Sequence, residues 1–179
     1  MKGCFLKGKR IFLRPLRLRD AMGPYRHWLN DAEVCRFNSH HVYPYTEADA
    51  RDYIQAVGKD KTTLALAIET LKGGRHIGNI SLQNIHDLWK IAEFAILIGD
   101  KRYWGKGYGE EAARLMIAHG FRALGLHRIY AGTFAGNRGM QRLAKRLGMK
   151  EEGLRRQAAF KDSVFVDILE YGLLKTEFK

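Results

Sequence analysis

The chain has 179 residues, 46% of them hydrophobic and 28% charged, with a formal net charge of +12. That length fits one domain with a normal core, 1–179, and the composition is that of a globular protein, not a disordered or fibrous one. No apolar run approaches the roughly 18 residues of a membrane span, and the two cysteines, Cys4 and Cys35, are too few for a disulfide framework, so a reducing cytoplasm is the expected setting.

In chain order, the opening MKGCFLKGKRIFLRPLRLRD is charged throughout and lacks the apolar core of a secretory leader. Alternation of apolar and basic residues from Ile11 to Leu18 predicts a half-exposed first strand. Asp20 is a candidate cap for a helix running to Trp28 and Leu29, weakened by Gly23 and Pro24. RFNSHHVYPY (36–45) reads as a loop. Thr46 and Asp49 form a capping-box pattern that opens a helix ending near Val57 and Gly58. Strands follow at 62–68, 76–85 and 91–98, with short connections that predict an antiparallel meander; Gly73 and Gly74 make the first turn. Ala113, Met116, Ile117, Gly120, Phe121 and Leu124 keep the spacing of an amphipathic helix packed on a sheet. A strand at 127–134 comes next, then a helix capped by Asn137 and ended by Gly148. Two strands close the chain around 149–160 and 163–174. The expected fold is a mixed α/β domain of the α+β type. Its largely antiparallel twisted sheet has about six or seven strands, flanked by about four helices. Only the strand–helix–strand step from IAEFAILI to HRIYAGTF has the form of a parallel unit.

The positive charge favours anionic partners: nucleic acid, ribosomes, acidic substrates or a polyphosphate cofactor. It is densest from Arg138 to Lys161, a basic face that could dock on a ribosome and is otherwise a solvated surface. No zinc-binding cysteine spacing or RNA-binding strand signature accompanies it. His40 and His41 lack a third ligand at metal spacing, so no metal site is expected.

The segment KRYWGKGYGEE (101–111) places three glycines, Gly105, Gly107 and Gly109, between an apolar strand and a helix. Such loops receive phosphate, because glycines allow close approach and the helix start presents N–H groups. Two familiar patterns are excluded. Lys106 is followed by Gly107, with no Ser or Thr after it, so the nucleoside-triphosphate loop is absent. Glu110 stands where the dinucleotide fingerprint needs its third glycine.

Arg102-Tyr-Trp-Gly105-Lys-Gly107 does match the R/Q-x-x-G-x-G/A signature of the GNAT superfamily of acetyl-CoA-dependent N-acetyltransferases. LKGKRIFLRPLRLRD, WLNDAEV, GNISLQNI, AEFAILIGDKRYWGKGYGEEA and NRGMQRLAKRLGMKEEG lie in the order and at the spacing of that superfamily. In detail the chain resembles the branch of ribosomal-protein-alanine and spermidine acetyltransferases. The resemblance implies acetyl-CoA as cosubstrate, with its pantetheine arm along Ile96, Leu97 and Ile98. It implies a pyrophosphate on the N–H groups of Gly105, Lys106, Gly107, Tyr108 and Gly109, with Arg102, Lys106 and Trp104 beside them and Asn137 against the arm. A homodimer is an expectation of the resemblance alone.

Transfer to an amine needs a base, because an alkyl ammonium has a pKa of about 10.4. Glu93, the only charge in IAEFAILI, is the candidate. Alternation puts it on the face of Ala95 and Leu97, at the end of an apolar groove that would raise its pKa; a structural ion pair is the alternative. A backbone N–H of the same strand would polarise the carbonyl. Many family members carry a tyrosine acid on the helix after the asparagine, and here that position is Ala144. This departure tilts the reading toward a peptide or protein N-terminus as acceptor, with polyamines and amino sugars open. Asn38 and Ser39 are candidate substrate contacts. A binding module that holds acetyl-CoA or docks on RNA without catalysis is the reading of a different class.

Overall fold

The computed structural model describes residues 3–179. Its elements run β1 (Leu6–Lys7), β2 (Ile11–Pro15), a 3-10 turn (Leu18–Met22), α1 (Tyr25–Leu29), α2 (Glu47–Lys59), β3 (Leu64–Thr70), β4 (His76–His86) and β5 (Ile91–Ile98). After a 3-10 turn at Lys101–Tyr103 come α3 (Tyr108–Arg122), β6 (Arg128–Phe134), α4 (Arg138–Leu147), β7 (Lys150–Lys161) and β8 (Val164–Leu174). The strands form one sheet in the order β1-β2-β3-β4-β5-β6-β8-β7. Among the described residues only β5 and β6 pair in parallel, through the α3 crossover. The sheet has eight strands where six or seven were expected; the extra one is β1, whose two residues carry no readable alternation.

The sheet separates two cores. On one face, α3 buries Ala112, Ala113, Met116, Ile117 and Phe121, and α4 buries Ala144 and Leu147, against Leu13, Leu66, Ile80, Leu82, Phe94 and Ile129. Each large side chain buried this way is worth about 1.5–3 kcal/mol. On the other face a smaller cluster gathers Tyr25, Trp28, Leu29, Val34, Cys35, Ala50 and Ile54. The alternation of β5 feeds both: Ile96 and Ile98 pack toward α3, while Leu97 packs toward α1 and α2. Among the described residues no helix is long and apolar enough to cross a membrane.

The helix expected from Asp20 is not formed as one piece. Gly23 and Pro24 divide it into the 3-10 turn and α1, and Pro24 takes the capping position of α1. Asp20 is buried instead. It accepts from Arg14 Nη1 at 2.7 Å and Nη2 at 2.9 Å, and from the Arg17 N–H at 2.8 Å. Arg14, itself only 2% exposed, also donates through Nε to Glu69 at 2.5 Å. A buried cation needs such partners, and these two carboxylates fix the end of β2 against the turn that leads to α1. The capping box at Thr46 and Asp49 is present and opens α2.

Candidate active site

The site is built around β5, whose two edges differ. One edge pairs with β4 along most of the strand, Gly78 with Ile98 through Gln83 with Glu93. The other pairs with β6 only at Ile91, Ala92 and Glu93, opposite Arg128, Ile129 and Tyr130. Beyond Glu93 the two strands part. Phe94 to Ile98 therefore offer an unpaired backbone edge on that side, the kind of edge to which an extended chain adds as a strand.

The glycine loop lies at the far end of β5. Gly99 packs so tightly on Trp28 that a β-carbon would fall 1.9 Å from the indole. Asp100 then caps the short turn and takes Arg102 in a two-point ion pair, Nε at 2.9 Å and Nη2 at 2.6 Å. The Arg102 hydrogen bonds hold the Asp100 carboxyl below its ordinary range. Arg102, expected to face a phosphate, is in this structure joined to Asp100 on the surface. Trp104 donates its indole N–H to the Ile98 carbonyl at 2.6 Å, which folds the loop back on the strand. Gly105 and Gly107 take left-handed φ values of +68° and +79°, and Gly107 caps α3. The first intrahelical bond across that end runs from the Glu111 N–H to the Gly107 carbonyl. The N–H groups of Tyr108, Gly109 and Glu110 have no upstream helical carbonyl, so the loop and helix start form a cradle suited to an anion. The two first-turn acids are each taken up by cations: Glu111 by Arg10 at 2.8 Å, Glu110 by Arg114 at 3.2 Å and Arg146 at 3.5 Å.

Arg10 was missed by sequence reasoning. Its contacts to Lys106 and Glu111 span 96 and 101 residues, and no local pattern encodes a contact of that range. Asn137 caps α4 by accepting from the Met140 N–H at 3.0 Å. The last turn of α4 meets the first turn of α3, where Arg114 also donates to the Arg146 carbonyl at 2.6 Å. This brings the C-terminal end of α4 to the start of α3, with Asn137 at the opposite end of α4. Ala144 lies in the core with no exposure.

Glu93 stands where β5 and β6 diverge, on the face of Ala95 and Leu97 as alternation required. Its setting differs from the expected apolar groove. A bulge in β4 breaks the register between Gln83 and His86, and Asn84 takes φ +51° within it. That twist aims Asn84 Nδ2 at Glu93 Oε2, at 2.9 Å. Tyr130, the cross-strand partner of Glu93, completes the group. Burial and then the adjacent Glu93 carboxylate push the Tyr130 phenol up, so it stays protonated at neutral pH, although its bond with Asn84 pulls the other way.

On the same face a cleft of about 390 Å³ opens between β4, β5 and the N-terminal helices. Tyr25, Tyr45, Tyr53 and Leu29 form its outer wall, and Asn79, Ser81, Gln83, Ala95 and Leu97 its floor. Asn38 and His40 line it; Ser39, between them, is exposed and does not. Burial raises the pKa of all three tyrosines. Asp49 is the one carboxylate in the wall, and it is engaged: Thr46 donates its N–H and its hydroxyl to Asp49 Oδ2, both at 2.7 Å. Gln83 and Ala95, neighbours of Glu93 on this face, join the cleft to the carboxylate. A larger open hollow of about 620 Å³ at the β7–β8 bulge is lined by Arg156, Gln157 and Asp167, with no part of β5 or the glycine loop in its walls.

Comparison with known proteins gives the family and the fold. The model of the "Acetyltransferase (GNAT) domain" matches residues 10–150. The chain is 30% identical over 169 residues to "Probable N-acetyltransferase YjcK" of Bacillus subtilis, covering 90% of this chain and 92% of that one. It is 30% identical over 144 residues to the spermidine N(1)-acetyltransferase of Escherichia coli K12, covering 80% and 74%. With "Putative ribosomal N-acetyltransferase YdaF" of B. subtilis it shares 32% identity over 109 residues, 61% of this chain and 59% of the relative. A solved spermidine N-acetyltransferase from Vibrio cholerae, in complex with CoA and spermine, superposes with a TM-score of 0.85 over 94% of this chain and 97% of that one, at 21% identity. The fold and the matched span agree: the chain belongs to the GNAT family and is an acyl-transferring enzyme of the N-acetyltransferase type.

Proposed function

We propose that the protein moves an acetyl group from acetyl-CoA directly to the primary amine of a peptide or protein N-terminus. The observation that carries the choice of acceptor is the wall of the cleft. It is built from tyrosines and neutral amides, and its single carboxylate, Asp49, is held in the capping box of α2. A polycation with two or more ammonium groups would meet tyrosine faces and one carboxylate here, fewer charges than it carries; a peptide end needs one amine accommodated, hydrogen-bonding partners for its amides and room for a side chain. The partial likeness to the "Putative ribosomal N-acetyltransferase YdaF" supports this reading. Polyamine transfer is the second reading, favoured by the spermidine acetyltransferase relative.

The residues divide the work. The cradle of Gly105 to Gly109, with Lys106 and Arg102, receives the pyrophosphate. The unpaired edge of Ile96, Leu97 and Ile98 receives the pantetheine arm and offers a backbone N–H to the carbonyl oxygen. Bound acetyl-CoA supplies an activated acyl carbon at the point where β5 and β6 part. There Glu93 takes the proton from the ammonium, Asn84 fixing the orientation of its carboxylate. The neutral nitrogen forms the new C–N bond as the C–S bond breaks, and the second proton it sheds on becoming an amide replaces the one that the sulfur receives. Tyr130, protonated beside Glu93, is the hydroxyl that returns a proton to the sulfur in place of the tyrosine that Ala144 lacks. Incubation with acetyl-CoA and a mixed panel of peptides, polyamines and amino sugars, read by mass spectrometry, tests the acceptor. N-terminally acetylated peptides are expected; acetylated polyamine alone would select the second reading. Free thiol released without dependence on any amine would contradict both.

A further inference from the structure

Arg10 lies between β1 and β2, yet it touches the glycine loop and the start of α3 at several points. Its backbone N–H and its Nε donate to the two oxygens of Glu111, at 2.7 Å and 2.8 Å. Its Nη1 donates to the Lys106 carbonyl at 2.9 Å. Its guanidinium carbon stands 4.5 Å from the centre of the Tyr108 ring. Its Nη2 lies so near Gly107 that a β-carbon there would approach it to 3.2 Å.

Each contact acts on the cradle. Glu111 sits in the first turn of α3, where an uncompensated carboxylate would repel an incoming phosphate. Arg10 occupies that carboxylate with charge-assisted bonds. The bond to Lys106 matters more for geometry. In a planar trans peptide the C=O and the following N–H point in opposite directions. Holding the Lys106 carbonyl toward Arg10 therefore holds the Gly107 N–H away from it. Glycine on the C-terminal side of this peptide leaves its rotation otherwise soft. The stack on Tyr108 fixes the next residue. Only a planar fork reaches three directions at once; a lysine ammonium in this position has the charge without the fork.

We propose that Arg10 is a positioning residue for the cofactor phosphate. It locks the Lys106–Gly107 peptide so that the cradle's N–H groups converge before the ligand arrives. The proposal rests on the acetyl-CoA reading above. Calorimetric titration with CoA tests it on wild type, Arg10→Gln and Arg10→Lys, with steady-state kinetics on any accepted amine. Both variants are expected to bind CoA about tenfold to a hundredfold more weakly, the loss of one or two charge-assisted bonds. The kinetic loss is expected in KM for acetyl-CoA, with kcat within about twofold of wild type. If Arg10→Gln does not fold, Arg10→Lys alone decides. Wild-type affinity in Arg10→Lys would overturn the proposal, because charge alone would then suffice. So would a loss confined to kcat. A wild-type protein that binds no CoA would instead overturn the cofactor reading itself, and this proposal with it.

Discussion

Single residues of the loop divide into those a sequence reveals and those it misplaces. Gly105 and Gly107 were legible because their task is a backbone conformation, and both adopt positive φ. Gly107→Ala keeps the space it needs except against Arg10, but must hold φ near +79°, which costs about 1 kcal/mol or slightly more for a residue with a β-carbon. Titration of Gly107→Ala with CoA is expected to give a Kd raised about tenfold, with a fold that still melts cooperatively; unchanged affinity would show that the cradle tolerates another shape. Side-chain partners were less legible than backbone tasks. Arg102 faces Asp100 two residues away, and Trp104 faces Ile98; neither pairing follows from the resemblance that makes them cofactor contacts. Glu93 was singled out by its isolation in an apolar strand. Its partner Asn84 was not, because the bulge that delivers it leaves no mark in the alternation of β4. Ser39 was placed in the cleft by loop composition alone, and the loop turns it outward.

At the scale of elements, long periodic segments were readable and short interrupted ones were not. α3 and the β3–β4–β5 meander form over the expected segments, and α3 buries Ala113, Met116, Ile117, Gly120 and Phe121 of its apolar stripe. The Asp20 helix failed because Gly23 and Pro24 divide it, and Asp20 lies inside the first turn, in a buried ion cluster with Arg14. That cluster now gives β2, β3 and β4 a shared acid sensitivity. Asp20 is pulled down from 3.8 by its bonds to Arg14 and the Arg17 N–H, which outweigh burial. His76, on β4, has its Nδ1 3.9 Å from Asp20. Its pKa is lowered from 6.5 by burial, with Arg14 adding to that and Asn79 and Asp20 opposing it. In both groups the folded pKa lies below the unfolded one, so the unfolded chain binds protons that the fold does not. Stability is complete above about pH 6.5, begins to fall as the pH drops through the His76 range, and falls again below about pH 4 through Asp20. Thermal melts from pH 8 to 4 should show the midpoint declining on acidification, and His76→Gln should flatten the first part of that decline. A wild-type midpoint that rises between pH 7 and 5 would contradict the cluster as described.

The whole molecule makes one device out of these parts. The sheet holds two cores apart, and β5 serves both: its α3 face packs beside the glycine loop, and its other face floors the cleft. The parting of β5 from β6 after Glu93 joins the two sides through the sheet. Fold class and cofactor were legible because long stretches of pattern and one glycine loop encode them. The acceptor was not, because the cleft we assign to it is assembled from α1, α2, a loop and three strands whose contacts lie far apart in sequence. The net charge of +12 suits a polyphosphate cofactor and gives no help with the amine. The central claim is that acetyl transfer occurs at this junction with Glu93 as the base. The most direct measurement is kcat/KM of wild type and Glu93→Gln with acetyl-CoA and an accepted amine, from pH 6 to 9. The account predicts a loss of about a hundredfold or more in the variant, largest toward the acid end where most of the amine is protonated. Full kcat/KM in Glu93→Gln across that range would contradict it.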